Sequence, residues 1–160
     1  MTQAAEQYWA QFLNSLPGTP ARPTSYYEAF SFGSSKESAW ELAALVLRGV
    51  KTATGSLQWT YEAEGRRAPE AGDYNVVTDG DGTPVCIILD LDVKIIPFDE
   101  VDETFAWDGG EEDRTLESWR RIYWEYILLE CGRIGRDPGP KTPLVCERFR
   151  VVYREPLQTE

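Results

Sequence analysis

The chain contains no histidine. That absence removes imidazole from acid–base catalysis and from metal ligation, so any group moving a proton near neutral pH has to be a shifted carboxylate, lysine, tyrosine or cysteine. Cysteine is sparse as well. Cys86, Cys131 and Cys146 are odd in number, widely spaced and without a Cys-x-x-Cys pair, which argues against a disulfide framework or a thiolate zinc site and for buried thiols. No apolar run approaches the length of a membrane span. The opening residues Met1-Thr2-Gln3-Ala4-Ala5-Glu6 lack the basic start and apolar core of a secretory leader, so a cytoplasmic protein with no membrane partner is expected.

Positive charge is scarce too: 16 lysines and arginines face 27 aspartates and glutamates, a formal net charge of −11. Proteins that hold many phosphates gather lysine and arginine on one face. The balance here favours a small ligand or a short single-stranded segment over duplex DNA. Arg133, Arg136 and Lys141 fall close together in one predicted loop, and Arg148 and Arg150 alternate along the last predicted strand. They either make a local basic groove or solvate a loop and a strand face.

What is present suits a globular domain. The 160 residues are 42% apolar and 12% aromatic, enough for one domain with a real core. The organisation expected is a helix and linker at 1–24 packing on a domain at 25–154, with a loose tail at 155–160. Tyr8, Trp9, Phe12, Leu13 and Leu16 recur at helical spacing before Pro17-Gly18-Thr19-Pro20 breaks the pattern. A short element follows Ser25. A helix is expected from Ser35 to Arg48, with Ser34 and Glu37 at capping-box spacing and Gly49 in the left-handed position after its end. Leu57 to Glu64 fits either a short helix or a strand, and the helix-terminator chemistry of Gly65 tips the reading to a helix. Asp73 to Thr78 and Pro84 to Ile96 read as strands joined by a hairpin at Asp79-Gly80-Asp81-Gly82. The Asp-Gly repeat is read as a turn, because Pro84 stands where a calcium loop of EF-hand type needs glycine.

Beyond that strand, Asp99 is placed to cap a short helix through Phe105, and Thr115 to cap a longer one. The longer helix has Trp119, Ile122, Tyr123, Tyr126 and Ile127 on one face and is expected to stop at Cys131-Gly132. Between the two lies the acidic loop Asp108-Gly109-Gly110-Glu111-Glu112-Asp113-Arg114. A final strand runs through Val145 to Tyr153. Strands interleaved with helices and antiparallel hairpins suggest an α+β fold, a small mixed β-barrel flanked by helices.

The segment Gly49-Val50-Lys51-Thr52-Ala53-Thr54 is the most informative. It places a lysine and a threonine where a helix gives way to a strand. The Gly-x-Lys-x-x-Thr spacing after such a helix resembles the ASCH family of PUA-like domains. The run Leu42 to Thr54, Pro69-Glu70-Ala71-Gly72-Asp73-Tyr74, and Asp113-Arg114-Thr115-Leu116-Glu117-Ser118-Trp119 are similar to the larger bacterial branch of that family, described as predicted RNA-binding proteins. The resemblance covers roughly Tyr26 to Tyr153 and implies a PUA-like ASCH fold.

A compact group of ASCH proteins, the N4-acetylcytidine amidohydrolases, uses a lysine, a threonine three residues on and a later glutamate. The resemblance therefore implies Lys51, Thr54 and Glu112 as catalytic residues, with Glu111 or Asp113 as alternatives for the carboxylate. A neutral lysine can take the proton of a hydroxyl or a water attacking an amide, so this chemistry needs no imidazole, metal or cofactor. Trp59, Trp107 and Arg114 stand near the motif loops as candidates to bind the substrate. The other reading is a single-stranded RNA-binding protein or ribonuclease. Taken alone, Lys51 is a solvated residue at a helix end, Thr54 a strand threonine and Glu112 an exposed loop carboxylate.

Overall fold

The structure is a computed structural model that describes residues 2–18 and 22–154; the expected tail at 155–160 lies outside the described residues, as do Thr19 and Pro20 of the expected linker. The elements in chain order are α1 (Gln3–Ser15), β1 (Glu28–Ser31), α2 (Lys36–Leu47), β2 (Ala53–Leu57), α3 (Gln58–Glu64), β3 (Tyr74–Thr78), β4 (Pro84–Pro97), a 3-10 turn (Phe98–Glu100), α4 (Glu103–Gly109), α5 (Leu116–Ile134) and β5 (Pro143–Arg154). The five strands follow the order β1-β3-β4-β5-β2. The pairing of β1 with β3 is parallel, while β3–β4 and β2–β5 are antiparallel. The fold is thus α+β with a mixed sheet.

The chain divides into two compact units, one drawn from Met1–Gly49, Gly72–Asp90 and Phe149–Glu160, the other from Val50–Ala71 and Leu91–Arg148. In the first unit, β3 and the first half of β4 carry apolar residues on both faces. Val76 and Ile87 meet Ala5, Tyr8, Trp9 and Phe12 of α1, while Val77, Cys86 and Ile88 meet Ala43 and Val46 of α2 together with Phe32 and Phe149. Because successive strand residues point to opposite faces, one helix covers each side. Ser35, not Ser34, caps α2, and it does so with Ser38 rather than Glu37: the Ser38 amide donates to the Ser35 hydroxyl, and the Ser35 amide donates to the Ser38 hydroxyl. Gly49 is left-handed, with φ +74°, as the helix end requires. The Asp79 carboxylate accepts the amides of Asp81 and Thr83, both at 2.9 Å. This is a side-chain-stabilised turn.

The second unit is built around α5. Trp119, Tyr123, Ile127 and Cys131 are four residues apart and bury one stripe against Ala53, Leu57, Phe105, Ala106, Leu144 and Cys146, each large side chain contributing roughly 1.5–3 kcal/mol. That stripe carries the helix past its expected stop. Cys131 continues the buried face, Gly132 is tolerated, and the left-handed Gly135 ends the helix. The helix before it also differs from expectation. Asp102, not Asp99, caps α4, since the Phe98 and Asp99 amides donate to the Thr142 and Pro140 carbonyls and hold that stretch in a separate 3-10 turn.

Candidate functional site

Lys51 lies just before β2 and is 1% exposed. Its ammonium donates to the carbonyls of Ala53 at 2.9 Å and Gly109 at 3.2 Å and to Glu111 Oε2 at 3.2 Å. Each of these acceptors is one the fold leaves in need. Gly109 is the last residue of α4, where carbonyls lack partners within the helix. Ala53 opens β2, the end strand in the sheet order, and Glu111 supplies opposite charge. Burial lowers the Lys51 pKa, while the Glu111 carboxylate acts in the opposite direction.

Further along β2, the Gly55 amide donates to the Tyr123 hydroxyl at 3.1 Å and the Leu57 amide to the Tyr126 hydroxyl at 2.9 Å. Ala53, Gly55 and Leu57 alternate, so α5 and Lys51 together satisfy backbone groups that an end strand leaves unpaired. A Cβ at 55 would stand 3.1 Å from the Tyr123 ring, a tight approach that glycine avoids. Burial first, and then the Glu111 charge, raise the Tyr123 pKa. Lys51 and Glu111 pair directly and the Glu111 charge reaches Tyr123, so these three form one cluster, while Thr54 lies on β2 opposite Glu147 of β5.

Glu112 stands outside it. The loop reverses at Gly110, whose φ is +72° and where a Cβ would meet the Val50 carbonyl oxygen at 2.7 Å. Glu111 is thereby turned inward, and Glu112, itself at φ +51°, is turned toward Arg121 on α5, with which it pairs. Asp113 is committed to the start of α5. Hydrogen bonds from Ser118 and Thr115 hold its carboxyl down at about 2.

Trp107 and Arg114 come together. The Arg114 guanidinium lies 3.7 Å from the Trp107 ring centre and donates to the Trp107 carbonyl at 2.8 Å and the Val50 carbonyl at 3.4 Å. Both line an open hollow of about 490 Å³, with Glu103, Thr104, Thr115 and Leu116 as the other walls. Trp107 remains 56% exposed. Lys51, Thr54 and Glu111 do not line this hollow; Val50 and Gly110, which bond or abut Arg114 and Trp107, connect it to the cluster. Trp59 is elsewhere, packed on the core of α5 beneath the Arg136 guanidinium, 4.0 Å away.

The basic residues expected to make a groove are engaged locally, Arg133 at the end of α5 rather than in a loop and Arg148 on β5. Arg133 pairs with Glu130 and Glu64, Arg136 with Glu62, Lys141 with Asp99 and Glu100, and Arg148 with Asp108. Burial pushes the Cys86 and Cys146 thiols up to about 12, which keeps them protonated and poorly nucleophilic. Among the described residues no cluster of histidine, cysteine, aspartate and glutamate gathers as a metal site, and no helix is long and apolar enough to cross a membrane.

Sequence reasoning had named Tyr123 as part of an apolar face and missed its hydroxyl. The available signal was a phenol on a buried stripe, which has to find a polar partner.

The ASCH domain family model matches residues 28–153. A crystal structure of an ASCH domain from Lactobacillus crispatus superposes with a TM-score of 0.90 at 32% identity, over 96% of this chain and 97% of that one. A protein from Enterococcus faecalis superposes with a TM-score of 0.84 at 31% identity, over 95% of this chain and 90% of that one. A hypothetical protein at 14% identity and a TM-score of 0.53 shares the fold alone. No match was found among curated proteins.

Proposed function

Because this chain belongs to the ASCH domain family, which is generally linked to RNA binding, we propose that it binds an RNA-derived or nucleoside ligand beside the Lys51–Glu111 pair. The activity proposed is hydrolysis of an amide on a modified nucleoside such as acetylcytidine. The observation that carries this reading is a lysine 1% exposed and held 3.2 Å from a carboxylate.

Glu111, with its side chain 20% exposed, is the side of the cluster open to solvent. A ligand arriving there excludes water, and exclusion of water favours the neutral form of a buried ion pair, amine plus carboxylic acid, over the charged form. The Lys51 amine then takes a proton from water or from the Thr54 hydroxyl as that oxygen bonds to the amide carbon. As the tetrahedral intermediate collapses, the carbon–nitrogen bond breaks and the Glu111 carboxylic acid protonates the leaving amine. Acetate and cytidine are the products when water is the nucleophile; when Thr54 is, water releases the acetate in a second step. The exposed Trp107 ring, braced by Arg114, offers a stacking platform for the base, worth about 1–3 kcal/mol.

The test is deacetylation of acetylcytidine followed by chromatography. Lys51→Ala and Glu111→Gln are expected to lower kcat about 100-fold or more, and Glu112→Gln to change it less than about threefold. Absence of turnover by the unaltered protein, or turnover indifferent to Lys51→Ala, rejects the hydrolytic reading. The family's link to RNA supports a second reading, a single-stranded RNA-binding protein or ribonuclease without amidohydrolase activity.

A further inference from the structure

The loop that carries Glu111 is laid along the segment that carries Lys51. Three hydrogen bonds make this seam: the Thr52 amide donates to the Asp108 carbonyl at 2.8 Å, the Lys51 ammonium to the Gly109 carbonyl at 3.2 Å and the Arg114 guanidinium to the Val50 carbonyl at 3.4 Å. At Gly110 the approach is so close that a Cβ would stand 2.7 Å from the Val50 oxygen and 3.0 Å from Lys51 Cα. Arg114 closes the loop on itself as well. Its Nε and the Gly110 amide share the Trp107 carbonyl, at 2.8 and 3.1 Å, and its own amide donates to the Glu111 carbonyl at 3.0 Å.

The same loop holds Glu112 at φ +51° and Arg114 at φ +64°. Left-handed backbone is unfavourable for residues other than glycine and persists where the surroundings hold it. At Arg114 the side chain supplies that hold, through two carbonyls in different segments and a stack 3.7 Å from the Trp107 ring centre.

We propose that Arg114 is a positioning residue that clips the acidic loop to residues 50–52 and so keeps Glu111 within reach of Lys51. This inference rests on the reading of Lys51 and Glu111 as the reacting pair. The guanidinium itself touches neither reacting group. A planar fork can bond two carbonyls while its face stays on an indole, which a lysine ammonium cannot do. Lysine keeps the charge and loses the clip, so Arg114→Lys separates this role from direct attraction of a ligand. A misplacement of about 1 Å at the pair costs up to about 100-fold in rate.

Two measurements are made on the full chain. Without substrate, amide hydrogen exchange in Arg114→Lys is expected to quicken about tenfold or more at Thr52 and Gly110, whose amides are bonded within the seam and the loop, and to stay unchanged at Leu57, whose amide is held by Tyr126. With acetylcytidine as substrate, kcat is expected to fall about 10- to 100-fold with KM little changed. Arg114→Gly removes the guanidinium and relieves the positive φ together, and the same losses are expected of it. Exchange that stays slow at Thr52 and Gly110 in either variant, equal quickening at Leu57, or a raised KM with kcat kept overturns the proposal. Lack of turnover by the unaltered protein rejects the hydrolytic function separately, since the exchange measurement still decides what Arg114 does.

Discussion

A lysine that is 1% exposed stores a conflict between solvation and pairing. Three acceptors stabilise its charge, yet burial is the larger influence and lowers its pKa below the ordinary 10.5. The consequence for stability has a definite sign. Between the lowered folded value and 10.5, the unfolded chain carries a proton that the folded chain has lost. Raising the pH through that window therefore favours the folded state, and the gain is complete only above 10.5. The stability of the protein relative to Lys51→Met is expected to increase as the pH is raised toward that limit, measured by urea unfolding at several pH values. A difference that narrows with rising pH would show that pairing with Glu111 outweighs burial.

At the level of elements, the start of α5 joins stability to the hollow. Thr115 caps the helix by accepting the Ser118 amide at 3.2 Å, and Asp113 accepts both the amide and the hydroxyl of Thr115 at 3.0 and 2.7 Å. Thr115→Ala is expected to cost about 1 kcal/mol in urea unfolding, and a cost below about 0.3 kcal/mol would mean that Asp113 holds the helix start unaided. Thr115 was legible in the sequence because a cap, an acidic first turn and a four-residue apolar repeat all agree there. So were Gly49 and Gly65, placed where left-handed backbone ends a helix. Asp99 and Asp102 could not be told apart by composition, since the choice depends on bonds to Thr142 and Pro140 some forty residues later. Glu111 and Glu112 were undecided for a related reason. Loop backbone has no period, and positive φ at Gly110 and Glu112 alone determines which carboxylate turns inward. Lys51 and Thr54 were singled out by the motif, whereas the Lys51–Glu111 pair joins residues sixty positions apart.

Across the whole molecule, the net charge of −11 and the local pairing of Arg133, Arg136, Lys141 and Arg148 leave little positive field for a polyanion. Each phosphate neutralised contributes about −0.7 to the slope of log affinity against log salt for single strands. For short single-stranded RNA, filter binding is expected to give a slope no steeper than about −1.5, that of about two phosphate contacts. A slope near −4 would replace the small-ligand reading with an extended RNA track. The two compact units bear on engineering as well. Each is assembled from separated stretches of chain, and β4 and β5 contribute to both. No single uninterrupted gene fragment can therefore encode either one, and truncations meant to isolate the lysine cluster will carry severed strands that expose new edges to aggregation.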